Sequence, residues 1–180
     1  MEIREQLEKY IPFNEQEVKN KEMMLKYMNM FDDLLTRENE ILHFTSSGFI
    51  LNETRDKVLM IHHNIYNSWA WTGGHADGEE NLLDVAIREA KEETGIKAVK
   101  PIVEDVFTID ILTVDGHIKR GKYVSSHLHV SFAYLLEASE QELIRIKEDE
   151  NSNVKWLPIE TFLDFITEEH MKPIYAKMVD

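Results

Sequence analysis

Residues Gly73–Ile96 read GGHADGEENLLDVAIREAKEETGI, and three of their glutamates, Glu89, Glu92 and Glu93, fall on one side of one predicted helix. Projected at 3.6 residues per turn from Asn81 to Thr94, Leu83, Ala86, Ile87 and Ala90 make an apolar face, and the two alanines permit close approach to a sheet. The glutamates occupy the neighbouring strip at i+3 and i+4 steps, continued toward the N-terminus by Leu82 and Val85. Asn81 suits the N-cap, and Gly95 suits the left-handed residue that ends a helix. Each like-charge pair at these spacings costs roughly 0.2–0.5 kcal/mol, and the last turn already faces the negative end of the helix dipole. A divalent cation reverses the sign of that interaction. Mg²⁺ and Mn²⁺ favour oxygen ligands, and Mg²⁺ commonly combines one or two carboxylates with phosphate oxygens. Taken alone, a strip of glutamates is more often a solvated face, so the surrounding residues decide.

On either side of this helix the pattern becomes that of strands. ILHFTSSGFILN (41–52) and DKVLMIHH (56–63) are β-rich and separated by the polar turn ETR, which predicts paired strands. Downstream, VFTIDILTV (106–114) runs into Asp115-Gly116 and then HIKR. Asp-Gly tolerates the positive φ angles of a two-residue turn, so a hairpin is predicted there. HLHVSFAYLL (127–136) is another strand, and VKWLPIETFLDFI (154–166) reads as a short strand passing into a helix that starts near Pro158. Residues 1–38 read as a helical extension: Asn14 and Glu17 have the form of a capping box, and Val18, Leu25, Met28, Phe31 and Leu35 recur at helical spacing. That stripe needs cover, expected from the main domain of residues 39–180, with a homodimer interface as the alternative. The fold class expected is α+β, a mixed sheet with helices packed on it.

Composition limits the partners. The 180 residues suffice for one buried core with an appendage. A net charge of −14 argues against a generic nucleic-acid or anionic-membrane surface and makes a divalent cation a natural companion. The absence of cysteine excludes disulfides, thiolate zinc sites and cysteine nucleophiles. The N-terminal MEIREQLEKY lacks the apolar stretch of a signal peptide, and no run reaches membrane-spanning length, so the expected location is cytoplasmic.

The spacing of Gly74, Glu80, Arg88, Glu89, Ala90, Glu92, Glu93, Gly95 and Ile96 resembles the box of the Nudix hydrolase family and fills it without a gap. A chance match somewhere in such a chain is on the order of one in a million or rarer. The resemblance implies a Nudix-like α/β/α sandwich from about His43 to Phe165, preceded by the helical extension, with the box forming a loop and helix. Two positions depart from the family's common form: Thr72 stands where a proline often precedes the double glycine, and Gly78 comes one place early.

The resemblance also implies an activity, the metal-dependent hydrolysis of a diphosphate in a small nucleoside diphosphate derivative, by attack of water on phosphorus. Phosphoryl substitution needs charge neutralisation, alignment and an activated water more than covalent chemistry. Glu92, Glu93 and Glu89 would hold Mg²⁺, with Mn²⁺ as a substitute, together with the backbone carbonyl of Gly74; Glu89 is alternatively the general base. Arg88 would orient a box carboxylate, Glu92 being within its reach. Glu80 would support the loop or the outer metal shell. Outside the box, KEDENSNVKW (147–156) offers Glu150 as a further metal carboxylate, against a solvated charge run as the plain reading. His127 and His129 share one strand face and, with Lys119 and Arg120 near the hairpin, are candidates for substrate contact; core packing and a soluble strand edge are the competing readings. Trp69 and Trp71 are expected to pack beneath the loop. Two other classes remain open on the sequence: a nucleotide-sensing module without turnover, and an isopentenyl-diphosphate-type isomerase, which the missing cysteine disfavours.

Overall fold

The structure is a computed structural model and describes residues 2–119 and 121–179. Its centre is β1 (Leu42–Leu51), whose alternate side chains ask for different partners. Phe44 and Ile50 point to one apolar layer, whereas the opposite face begins with His43, Thr45 and Ser47 and becomes apolar only at Phe49 and Leu51. β1 pairs in parallel with β9 (His127–Glu137) along its whole length, and β9 repeats the same division, His127, His129 and Ser131 preceding Ala133 and Leu135. One face of the sheet therefore offers a polar half and an apolar half, side by side.

Antiparallel partners complete the sheet. β2 (Lys57–His63) pairs with the end of β1, and β4 (Thr72–His75) with its middle. β10 (Asn151–Pro158) and β3 (Ser68–Ala70) pair with β2, while β5 (Lys100–Pro101) and β6 (Thr108–Val114) pair with β9. β7 (His117–Lys119) and β8 (Lys122–Val124) form a separate small ribbon. The result is a mixed α+β sheet between two helical layers. On one side α1 (Ile3–Lys9), α2 (Glu15–Met30) and α3 (Leu82–Thr94) bury Leu7, Met24, Leu82, Val85, Ala86 and Ala90 against Phe44, Val130 and Phe132. On the other, a short 3₁₀ turn at Phe162–Phe165 and α4 (Lys172–Ala176) cover Phe49, Leu51 and Met60 with Phe162, Ile174 and Tyr175. No helix among the described residues is long and apolar enough to cross a membrane.

The N-terminal helices lie on the sheet. Leu25, Met28, Phe31 and Leu35 pack against the core, while Val18 remains exposed. Asn14 caps α2 by accepting from the Glu17 N–H. The reciprocal half of a capping box does not form: the Glu17 carboxylate accepts from the Phe13 N–H, the Tyr10 hydroxyl and Lys177 Nζ. Lys177 also reaches Asp110 on β6 at 3.0 Å, so a fully buried Glu17–Lys177–Asp110 triad joins α2, the sheet and the C-terminal segment. Glu17 is drawn inward because this buried ammonium needs a second anion.

Two local expectations are corrected. Asp115-Gly116 closes no hairpin between β6 and β7, since neither residue has positive φ and β6 continues its ladder with β9 as far as Val114–His127. The tight turn lies further on, between Lys119 and Lys122, where Gly121 takes φ +78°. Pro158 ends the edge strand β10 and starts no helix; an edge strand tolerates its missing N–H.

Candidate active site

α3 begins at Leu82 and ends at Gly95, which takes the left-handed conformation with φ +75°. Asn81 occupies the N-cap, but its side chain donates to Asp84 and caps no backbone N–H. The buried row is Leu82, Val85, Ala86, Ala90 and Glu93, rotated from the predicted face so that Leu83 and Ile87 are only partly buried. Glu93 thus sits in the core-facing row, 2% exposed, where an apolar side chain would be ordinary. Its Oε2 accepts the Gly73 N–H at 2.9 Å. Burial holds its pKa well above the usual carboxylate range; the Gly73 hydrogen bond opposes this, and the nearby charges of Glu150 and Glu89 reinforce it.

Glu89 lies against the backbone of β4, and a Cβ added at Gly74 would stand 2.5 Å from its carboxyl carbon. Glycine at 74 is therefore what lets the carboxylate approach the strand. Burial raises the Glu89 pKa, against the pull of Arg88, whose guanidinium donates to Glu89 Oε1 at 3.1 Å. The expected Arg88–Glu92 pair does not form; the adjacent Glu89 is the partner. Glu92 instead lies 3.4 Å from Lys147 Nζ, which also pairs with Glu150 at 3.1 Å. Burial disfavours the charge on Lys147, but Glu150 and Glu92 outweigh it and raise its pKa. Asn151, at the start of β10, donates to the Glu93 carbonyl and ties this wall to the end of α3.

The loop between β4 and α3 takes two left-handed residues, Asp77 at φ +48° and Gly78 at φ +92°. Arg37 clamps Asp77 through two 2.8 Å hydrogen bonds, and the Gly78 N–H donates to the Leu35 carbonyl. The segment before β1 thereby holds the loop whose sequence departs from the common form. Glu80 is exposed at the end of this loop and does not line the cleft.

All four remaining carboxylates, Glu89, Glu92, Glu93 and Glu150, line one cleft of about 1080 Å³ together with Gly74. Their donors are hard oxygens, and no hydrogen bond among the described residues occupies the second oxygen of Glu93, so the set fits Mg²⁺ or Mn²⁺. The same cleft includes Lys119, His127 and His129; Arg120 lies outside the described residues. Trp71 is buried against Phe49 and Tyr175 while touching the cleft, and Trp69 stacks edge-on to His62. Four groups were missed from sequence: Lys147, Asn151, His43 and His75. His43 and His129 face each other in the β1–β9 register, and His75 directly follows Gly74, so strand parity was the available signal. Burial first, then neighbouring cations and histidines, lowers the pKa of His75 to about 3 and of His129 to about 2, so both rings are neutral.

Residues 42–178 match the family model of the NUDIX domain. The chain is 32% identical over 127 residues to a probable DHNTP pyrophosphohydrolase of Lactococcus lactis, covering 68% of this chain and 73% of that protein. It is 29% identical over 129 residues to the asymmetrical bis(5'-nucleosyl)-tetraphosphatase of Rattus norvegicus, covering 71% and 76%. Among solved structures, a NUDIX-family hydrolase from Clostridium perfringens superposes with a TM-score of 0.52 at 25% identity, over 77% of this chain and 96% of that one.

Proposed function

The chain belongs to the NUDIX family as a pyrophosphohydrolase of that type, and we propose that it cleaves a diphosphate linkage in a small nucleoside diphosphate derivative with Mg²⁺ or Mn²⁺ held by the box. The observation that carries this reading is the convergence of Glu89, Glu92, Glu93 and Glu150 on one cleft beside Gly74. A divalent cation, when bound there, supplies the positive charge that a phosphoryl group undergoing substitution requires. The names of the similar proteins differ in what is attached to the phosphates, so the shared chemistry is the phosphoanhydride and the attached group stays unassigned.

In this reading the protein's own groups divide the work. The Gly73 N–H fixes the rotamer of Glu93, and Asn151 fixes the end of the helix that carries it. Glu92, Glu93, Glu150 and the Gly74 carbonyl would hold the cation. Lys147, paired with both Glu92 and Glu150, offsets their mutual repulsion. Glu89, pinned between Arg88 and β4, takes the proton of the attacking water. Lys119 stands at the cleft rim as a phosphate contact.

The test is a screen of nucleoside diphosphate derivatives and dinucleoside polyphosphates with Mg²⁺, with Mn²⁺ and after exhaustive chelation, run in ¹⁸O-water. The expected result is cation-dependent turnover with label in a phosphate product. Undiminished turnover in chelator, or conversion without label, contradicts the reading. The assignment of Glu89 is tested separately: Glu89→Gln should lose turnover while retaining the thermal shift on adding Mg²⁺, whereas Glu93→Gln should lose both.

A further inference from the structure

The polar half of the sheet face holds a cluster that the carboxylate chemistry does not use. His43 of β1, His75 of β4 and His129 of β9 each present a ring nitrogen within 4.8 Å of the others. His127 joins them, its Nε2 being 3.2 Å from His129 Nε2. The register explains the gathering, because three strands place alternate residues on one face and His43 stands directly opposite His129.

Hydrogen bonds settle which nitrogens are free. His43 Nδ1 lies 3.0 Å from the Asn39 carbonyl and His127 Nδ1 2.8 Å from the Ser125 carbonyl. A carbonyl can only accept, so in both rings Nδ1 carries the hydrogen, and Nε2 is the nitrogen left to offer a lone pair to an ion. His43 is only 4% exposed, and its Nε2 is buried with no hydrogen-bond partner among the described residues. An orphaned buried acceptor is costly, which points to a missing partner. An imidazole that donates its far N–H to a carbonyl while turning the other nitrogen inward is the usual arrangement of a metal-ligating histidine.

We propose that His43, His75 and His129, with His127 as the fourth ligand, form a second cation site, selective for a nitrogen-preferring ion of the Zn²⁺ class and separate from the carboxylate site. Zn–N bonds of about 2.0–2.1 Å in a tetrahedron put ligand nitrogens roughly 3.3 Å apart. The His127–His129 separation of 3.2 Å is already that of one edge. In the ion-free form a single proton on His129 Nε2 bridges this edge to His127; on binding that proton passes to His129 Nδ1, with no net release, which frees the Nε2 lone pair for the ion and lets the remaining nitrogens draw inward. His75 adjoins Gly74, so an ion on the histidines stands beside the oxygen-ligand site and adds positive charge to the same cleft. The donor sets separate the two ions: imidazoles suit Zn²⁺, and carboxylates with a carbonyl suit Mg²⁺.

The experiment is Zn²⁺ titration of the full chain against a chromogenic chelator in excess Mg²⁺, which fills the carboxylate site. The expected result is one equivalent of tightly bound Zn²⁺. His43→Gln and His129→Gln should each weaken it by more than about a hundredfold, beyond the 10–100-fold typical of losing an outer-shell partner. Glu93→Gln should bind Zn²⁺ as the parent does. His75, more accessible than His43, supplies a third variant, His75→Gln, read alongside circular dichroism so that loss of binding is separated from loss of fold. Co²⁺ substitution should give the ligand-field bands of a tetrahedral nitrogen site in the parent and lose them in folded His75→Gln. Absence of tight Zn²⁺ binding, unchanged binding in folded histidine variants, or binding lost in Glu93→Gln but kept in the histidine variants, each overturns the proposal.

Discussion

Two groups of charge in this molecule, one buried and one lining a cleft, behave in opposite ways. Around Lys177, two carboxylates meet one ammonium, and a tyrosine hydroxyl and a backbone N–H supply further donors to Glu17. The cluster is closed to solvent and does not line the carboxylate cleft. At the end of α3, four carboxylates meet Lys147 and Arg88 and share an open cleft, with Glu93 in a row that packing alone would fill with an apolar side chain. In the first group both buried carboxylates touch the ammonium, whereas Glu93, the fully buried carboxylate of the second, has the Gly73 N–H and no ion pair among the described residues. A compensated cluster fastens elements together; a buried carboxylate with no ion pair beside a cavity is held ready for a ligand.

The contrast can be broken from the structural side first. Lys177→Met strands Glu17 and Asp110 without their cation and should cost about 3–5 kcal/mol in chemical denaturation, with binding at the cleft intact in the folded fraction. A loss below about 1 kcal/mol would place the triad outside the stabilising framework. On the other side, Glu92→Gln and Glu93→Gln should each lower turnover by at least about a hundredfold while the fold persists. Near-normal rates in both would remove the box from the reaction. Tyr10→Phe removes one donor to a buried carboxylate and should cost toward the low end of about 1.5–3 kcal/mol, with no change in the metal dependence of turnover. The smallest effect sharpens the comparison most: Gly74→Ala pushes a flexible side-chain end, not backbone, so stability should change by less than about 1 kcal/mol. Displacing the Glu89 carboxylate should nonetheless cut kcat about tenfold or more. Equal kcat in the two proteins would mean that the position of Glu89 is irrelevant to the chemistry.

What the sequence disclosed, and what it hid, divides along the same line. The box spacing, the cap glycine and strand alternation lie in local sequence, so Glu89, Glu92, Glu93, Gly95 and the strands could be read directly. Lys147 and Asn151 reach the site only through the pairing of β10 with β2, a contact between residues far apart in the chain. The helical projection put Glu93 in the strip beside the apolar face and not in the buried row, because the wheel gives angles, not the direction from which the sheet arrives. Asp115-Gly116 carried a strong turn signal, but the β6–β9 ladder outweighed local preference and moved the turn to Gly121. Arg120 lies outside the described residues. Local sequence assigned His43 and His75 no role, because only the register of β1, β4 and β9 sets them beside His129.

The central claim is that the glutamates of α3 are gathered for a divalent cation, and paired melting curves of the parent and Glu93→Gln test it most directly. They should be recorded in chelator and in Mg²⁺ at one pH and ionic strength, because salt weakens exposed repulsion. In chelator at neutral pH Glu93→Gln should melt above the parent, because burial raises the Glu93 pKa and the parent must take up a proton there to fold, which glutamine need not do. With Mg²⁺ at a hundredfold excess over its Kd the parent should gain about 2.7 kcal/mol, and the variant clearly less. Equal Mg²⁺-induced shifts in the two proteins would contradict the account and leave the crowding of carboxylates on this helix without its cause.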